Sequence, residues 1–359
     1  MPGIDKAVLL DSLPPDWPDD LLPAIRRQAA AAGRKVVVLD DDPTGTQTVH
    51  GIAVLTEWSV ESLASELLTD RPAFYILTNS RALPSNEAAA LNAEIGHNLR
   101  AASQASGVDF TVVGRRDSTL RGHYPGEVDA LAEALGESEA STLIIPFFLA
   151  GGRYNINDIH YVAESDQLVP AAETPFAQDA AFGYSTSNLS EYVEEKTDGR
   201  VPAKDGSSVS LEEIRIGGPT RVAEILLALA PKAVCVVNAA SYRDLEVFVL
   251  GLWQAVAAGK RFVYRTAASF VRVLAGIEPL PLLSKQTLAA GSKAGALFVV
   301  GSYVPKSTSQ LSVLLEQPGI VPVEVPVPHL LDEDKRRFAV SYTHLTLPTM
   351  STTWSCRGW

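Results

Sequence analysis

Val36-Val37-Val38-Leu39-Asp40-Asp41-Asp42-Pro43-Thr44-Gly45 is an apolar run that ends abruptly in three carboxylates and a Gly/Thr turn. Four consecutive β-prone apolar residues read as a strand buried on both faces, which is a strand of a parallel sheet. In open α/β sheets, ligands collect beyond the carboxyl ends of such strands. Asp40, Asp41 and Asp42 sit at that end, and they repel one another unless solvent, a cation or a hydroxyl-rich ligand shares the charge. The cluster therefore suggests a site for Mg2+ or for a polyol. Taken alone, the stretch is equally compatible with an acidic turn that caps the next helix through Asp42 or Thr44.

Two further strand ends shift that balance. Phe110-Thr111-Val112-Val113-Gly114 breaks into Arg115-Arg116-Asp117-Ser118-Thr119-Leu120-Arg121-Gly122-His123, with arginines, an acid, hydroxyls and a histidine in close sequence. Guanidinium forks bind carboxylates and phosphates bidentately, and Asp, Ser and Thr hydrogen-bond sugar-type hydroxyls. Phe74-Tyr75-Ile76-Leu77-Thr78 followed by Asn79-Ser80-Arg81 repeats the design. Three strand ends thus carry groups suited to one hydroxylated anion.

At these residues the chain resembles a known family. DDPTG (Asp41 to Gly45), SRAL (Ser80 to Leu83) and RRDSTLRGH (Arg115 to His123), in this order, are similar to the four-carbon acid-sugar kinases. The resemblance continues through IPFFLAGGRYNINDIHYV and ETPFAQD to VVGSYVPKSTSQL, which ends at Leu311. It implies transfer of a phosphoryl group from ATP, with Mg2+, to a hydroxyl of a tetronate or 3-oxo-tetronate. Asp41 or Asp42 would orient or deprotonate that hydroxyl. Arg81, Arg115 and Arg121 would grip the substrate carboxylate, with Asp117 and Ser118 bonding its hydroxyls. Thr44, Gly45, Asn79 and Ser80 complete the expected substrate pocket, and the matching segment raises Arg153 and His160 into it. The family places ATP in a second domain, where Ser302 best matches the nucleotide-binding serine and Lys306 is a further phosphate contact. Val304 stands where a second serine is often found.

A formal net charge of -12 argues against a nucleic-acid or anionic-membrane partner, since both need concentrated positive charge. The expected partners are a small sugar acid, ATP and a second copy of the chain in a homodimer. No apolar run reaches the roughly 18 residues of a spanning helix, and Met1 to Leu22 lacks a signal-peptide pattern, so a cytoplasmic protein is expected. Cys235 and Cys356 make neither a disulfide framework nor a metal site.

Along the chain, strands near 36–39, 52–55, 74–78, 110–113 and 142–145 alternate with helical segments at 59–69, 85–106 and 124–135, the pattern of a parallel sheet covered by helices on both faces. The 52–55 strand is read as running antiparallel at an edge, and Glu191 to Ser210 as an exposed loop or helix edge. The resulting division is an N-terminal extension (1–33), an acid-sugar-binding α/β domain (34–275), a linker (276–295) and the start of a second α/β, nucleotide-binding domain (296–340). Residues 341–359 read as a non-native tail, which would leave the second domain truncated and the activity of this chain in question. The rival from another class is a sugar-acid binding protein without turnover. A nicotinamide-dependent oxidoreductase ranks low because no G-x-G-x-x-G follows any predicted strand.

Overall fold

The computed structural model describes residues 3–281, 284, 286, 297–301, 305–326, 328–329, 332, 335 and 352–355. The chain divides into two units, Met1–Leu280 and Pro281–Trp359. The first contains β1 (Ile4–Asp5), β2 (Arg34–Asp40), β3 (Ala53–Leu55), β4 (Ala73–Leu77), β5 (Asp109–Arg115), β6 (Ser141–Ile145), β7 (Arg153–Ile156), β8 (Ile159–Glu164), β9 (Gln167–Pro170), β10 (Ser207–Val209), β11 (Val234–Val237) and β12 (Phe262–Thr266). Its helices are α1 (Lys6–Asp11), α2 (Leu22–Ala32), α3 (Val60–Leu67), α4 (Ser85–Ser106), α5 (Gly126–Leu135), α6 (Leu189–Lys196), α7 (Leu211–Arg215), α8 (Gly218–Ala228), α9 (Tyr242–Ala257) and α10 (Ala268–Leu274).

Eight strands form one sheet in the order β10-β11-β6-β12-β5-β2-β4-β3, and every neighbouring pair is parallel. This is the α/β parallel-sheet fold that the alternation of strands and helices predicts. Side chains of a strand point alternately to opposite faces, and the core follows that rule. Val36 and Val38 join Tyr75, Leu143 and Phe248 on one face, whereas Val37 and Leu39 join Leu63, Phe74, Ile95 and Leu99 on the other. A slip of one residue would exchange the two sets, so burial on both sides fixes the register. That register sets Asp40 opposite Arg115 on β5 and opposite Leu77 on β4, and so delivers the three polar strand ends to one edge.

The β3 strand lies at the sheet edge but pairs parallel to β4, with Ala53 opposite Phe74, which corrects the antiparallel reading. A return through helix α3 packs Leu63 and Leu67 on the sheet, and a crossover helix requires a parallel partner. The 191–210 segment is also less exposed than its composition suggests. Tyr192 and Val193 on α6 and Val209 on β10 are buried, because one face of each element covers a neighbour. A smaller sheet, ordered β1-β9-β8-β7 and antiparallel throughout, stands beside the main one. Its β7 touches the main sheet's connection at Asn155, whose backbone bridges Ala239.

In the second unit, β13 (Leu297–Val300), α11 (Pro305–Leu315), β14 (Val321–Glu324) and β15 (Thr352–Ser355) are described. The three strands are parallel in the order β13-β15-β14. Ser302 lies outside the described residues, as does the side chain of Lys306. Of the segment read as a non-native tail, only Thr352–Ser355 is described, and it forms the central strand of this sheet. Among the described residues, no helix is long and apolar enough to cross a membrane.

Candidate active site

Backbone hydrogen bonds stitch the three strand ends together. Asp41 N donates to Arg115 O at 3.4 Å, Thr78 N to Asp40 O at 3.0 Å and Arg81 N to Asp41 O at 3.2 Å. The guanidinium of Arg115, at the end of β5, then faces the whole acidic run, with Nη1 3.2 Å from Asp40 Oδ1, 3.7 Å from Asp41 Oδ1 and 3.2 Å from Asp42 Oδ1. Arg81 closes the cluster from the β4 side. Its Nη2 reaches Asp41 Oδ1 at 3.1 Å and also Asp42 Oδ2, and its Nη1 lies 3.4 Å from Asp117 Oδ1. Arg121 grips Asp117 as a fork, Nε to Oδ2 at 3.0 Å and Nη2 to Oδ1 at 3.2 Å. The repulsion evident in the sequence is thus met by guanidiniums of the chain itself.

The charges do not balance. Arg81, Arg115, Arg121 and Arg153 stand against Asp40, Asp41, Asp42, Asp117 and Asp179, one acid in excess. The excess proton falls to Asp40. Burial pushes its pKa from 3.8 up to about 7, the neighbouring Arg115 opposes the rise, and Asp41 adds to it. Asp117 goes the other way. Burial works to raise it too, but the hydrogen bond and charge of Arg121, with Arg81 and Thr119, hold it well below the usual carboxylate range. Two carboxylates of one cluster, Asp40 and Asp117, are therefore poised in opposite protonation states, a pattern typical of functional sites.

The remaining predicted residues have specific places. Thr44 donates its backbone N–H, at 2.7 Å, and its hydroxyl to Asp42 Oδ1, so it caps the turn. Gly45 lies against Asp40 and donates a backbone hydrogen bond to it; a Cβ there would stand 1.8 Å from Asp40 Oδ2, so only glycine fits. Asn79 is exposed and adopts a left-handed conformation with φ 50°. Ser80 is buried and donates to Glu127 Oε1. Ser118 is half-buried, and its carbonyl lies 2.7 Å from His160 Nε2. His160 is fully buried, with Nδ1 2.7 Å from Asn155 Oδ1. Burial drives its pKa down from 6.5 to about 3, and because both ring nitrogens face oxygens, Nε2 the Ser118 carbonyl and Nδ1 Asn155 Oδ1, the neutral ring donates to only one of them. It supports the loop from beneath. Arg153 bonds Gly151 O and lies 5.4 Å from the centroid of Phe176, while Arg121 lies 5.2 Å from the same ring.

Sequence reasoning missed a supporting layer. Arg116 points away from the acids, with Nη2 2.8 Å from Asn92 Oδ1 and Nη1 3.2 Å from Glu127 Oε1, and Asn92 donates to Glu127 at 2.9 Å. The doublet Arg115-Arg116 carried the signal, because successive residues leaving a strand face opposite sides. Phe176 and Asp179, which brace Arg121, lie in the ETPFAQD stretch but were not singled out.

One buried oxygen stands apart. Asp41 is fully buried, and its Oδ2 has no hydrogen-bond partner among the described residues. It faces Gly122, whose absent Cβ would come within 3.5 Å of it. Asp40, Asp41 and Asp42 each offer an oxygen within 4.8 Å of the others, a donor set of the kind hard cations use. With Arg115 and Arg81 already bonded to those oxygens, however, the residues do not form a cation cage on their own.

A parallel sheet with a charged cluster at its carboxyl edge defines an α/β ligand-binding domain. Residues 36–274 match the family model of the sugar-binding N-terminal domain, and the chain belongs to that family. The motif resemblance to four-carbon acid-sugar kinases identifies the same family. No curated protein matches the chain. Among solved structures, it is similar to a DUF1537 protein of Bordetella bronchiseptica, crystallised with bound citrate as a domain-swapped dimer. The identity is 22%, the match covers 91% of this chain and 74% of that one, and the TM-score is 0.53. A DUF1537 protein of Haemophilus influenzae matches at 20% identity over 89% of this chain and 75% of its own, with TM-score 0.53. A Salmonella typhimurium LT2 protein, provisionally named a tRNA synthase, matches at 18% over 90% and 74%, with TM-score 0.56. At these identities the likeness is one of fold.

Proposed function

We propose that the strand-end cluster binds a four-carbon sugar acid and holds one of its hydroxyls for phosphoryl transfer from ATP. The observation that carries this reading is Asp41 Oδ2, a buried carboxylate oxygen with no partner among the described residues, beside a ring of guanidiniums. A substrate hydroxyl entering past Gly122 would donate to it. Arg81 and Arg115 fix the other Asp41 oxygen, so the free one is held in place to orient the hydroxyl and accept its proton. Arg121 and Arg153, 5.2 and 5.4 Å from the centroid of the Phe176 ring, supply positive charge for the acid group. ATP with Mg2+ would supply the phosphoryl group and neutralise charge on it. Citrate, a hydroxylated polycarboxylate, is bound in the Bordetella protein and has the chemistry this site would select. The domain-swapped dimer of that protein supports a homodimer here.

The test is calorimetric binding and ATP-dependent phosphorylation across a panel of tetronates and the matching neutral alditols. Acids should bind and alditols should not, and Asp41→Asn should retain binding while losing turnover. Equal binding of acids and alditols would refute the site. Binding of acids by the wild type without any turnover would leave a sugar-acid binding protein instead.

A further inference from the structure

We propose that a small monatomic anion, chloride in ordinary buffers, binds beneath the 116–123 loop, on the guanidinium of Arg265. Arg265 ends β12 and is 1% exposed, the largest fully buried side chain of the molecule's described residues. Every other buried arginine at this edge has a carboxylate: Arg115 has Asp40 and Asp42, and Arg116 has Glu127. Arg265 has none within ion-pair distance among the described residues. Its contacts are a hydrogen bond from Nη2 to Arg121 O at 3.4 Å and the ring faces of Tyr192 and Tyr124 at 5.5 and 6.0 Å. Nε and Nη1 have no hydrogen-bond partner among the described residues. An isolated buried charge is costly unless a counter-charge joins it.

The structure places room for that counter-charge beside these atoms. A cavity of about 10 Å³ is lined by Arg116, Arg121, Gly122, His123, Tyr124, Glu127, Val128 and Arg265. That is about the space the centre of one water-sized body requires. A carboxylate ligand is too large for it. The buried Nε2 of His123 and Nε of Arg116 also have no hydrogen-bond partner among the described residues. Around the cavity stand the cations Arg116, Arg121 and Arg265 and the anion Glu127. Glu127 pairs with Arg116, and Asp117 and Asp179 pair with Arg121, which leaves Arg265 as the lining cation with no carboxylate at ion-pair distance among the described residues. A halide brings the counter-charge that Arg265 lacks, whereas a water does not. Because Arg265 also holds the Arg121 carbonyl, the ion would brace the loop that presents Asp117 and Arg121.

This inference stands apart from the kinase reading and is tested by ion binding. The full chain is crystallised in sodium bromide, and anomalous scattering is measured at the bromine edge. In parallel, thermal unfolding is followed while chloride replaces methanesulfonate, which is too large for the cavity, at fixed ionic strength. A bromide peak beside Arg265 and a midpoint that rises with chloride are expected, and Arg265→Met should abolish both. Because the wild-type measurements stand alone, the result survives a variant that fails to fold, and Arg265→Lys provides a cationic control. No anomalous peak, or an unfolding midpoint indifferent to chloride, would overturn the proposal and leave a water in the cavity.

Discussion

Asp40→Asn is the sharpest test of how this site stores its charge. The cluster holds one more carboxylate than guanidiniums, and burial lifts the Asp40 pKa from 3.8 to about 7. A folded pKa above the unfolded one means that the native state binds the extra proton. Asp40 then contributes full stability below its unfolded pKa, and that contribution is lost as pH rises through the folded value. Each pH unit in that window is worth about 1.4 kcal/mol, so from about pH 5 to about pH 8 wild type should lose about 3 kcal/mol from this group alone. Asn cannot ionise, retains an oxygen for Arg115, and has the size of the protonated acid. The stability of Asp40→Asn relative to wild type should therefore rise by that amount across the window. His160 imposes the opposite slope at the acid end, so only the difference between variant and wild type isolates Asp40. Urea denaturation of both proteins at a series of pH values measures it. Parallel profiles would refute the argument and show Asp40 ionised throughout, with the excess proton elsewhere.

The other predictions rest on single contacts. His160 is held neutral by burial, with its pKa down at about 3, so the unfolded chain takes up a proton that the folded one refuses as pH falls below 6.5. His160→Gln should flatten that acid-side loss of stability, and denaturation at mildly acidic pH would show no difference between variant and wild type if the ring were charged in the fold. Arg121→Lys replaces the fork on Asp117 with a point charge. Loss of the charged contact that Arg121 would make to the acid group of the substrate costs about 1.5–3 kcal/mol, so KM for tetronates should rise roughly tenfold to a hundredfold. An unchanged KM for tetronates would remove Arg121 from acid recognition.

How much of this was legible in the chain differs from residue to residue. The run Val36 to Leu39 ending in Asp40 announced a two-sided buried strand with a polar edge, because only a parallel sheet buries both faces of so short an apolar run. The strands at Phe74 and Phe110 repeated it, and the alternation with helices defined the α/β class. The residue types at the three strand ends likewise pointed to a hydroxylated anion. Composition did not say which charges pair. Arg115 and Arg121 read alike in sequence, yet the register sets Arg115 against Asp40, while a tight loop folds Arg121 back on Asp117. The orientation of the β3 strand and the burial of Tyr192 likewise depended on what packs against them.

His160 carries the same lesson. A histidine between Asn and Asp residues reads as a polar hairpin position, and nothing local marks it as the support of a loop that lies 42 residues earlier in the chain. Local sequence determines which groups arrive at the sheet edge, because strand propensity and apolar patterning are short-range. The pairing, burial and protonation of those groups depend on distances between residues far apart in the chain, and Coulomb and desolvation energies acquire values only once the fold has set those distances.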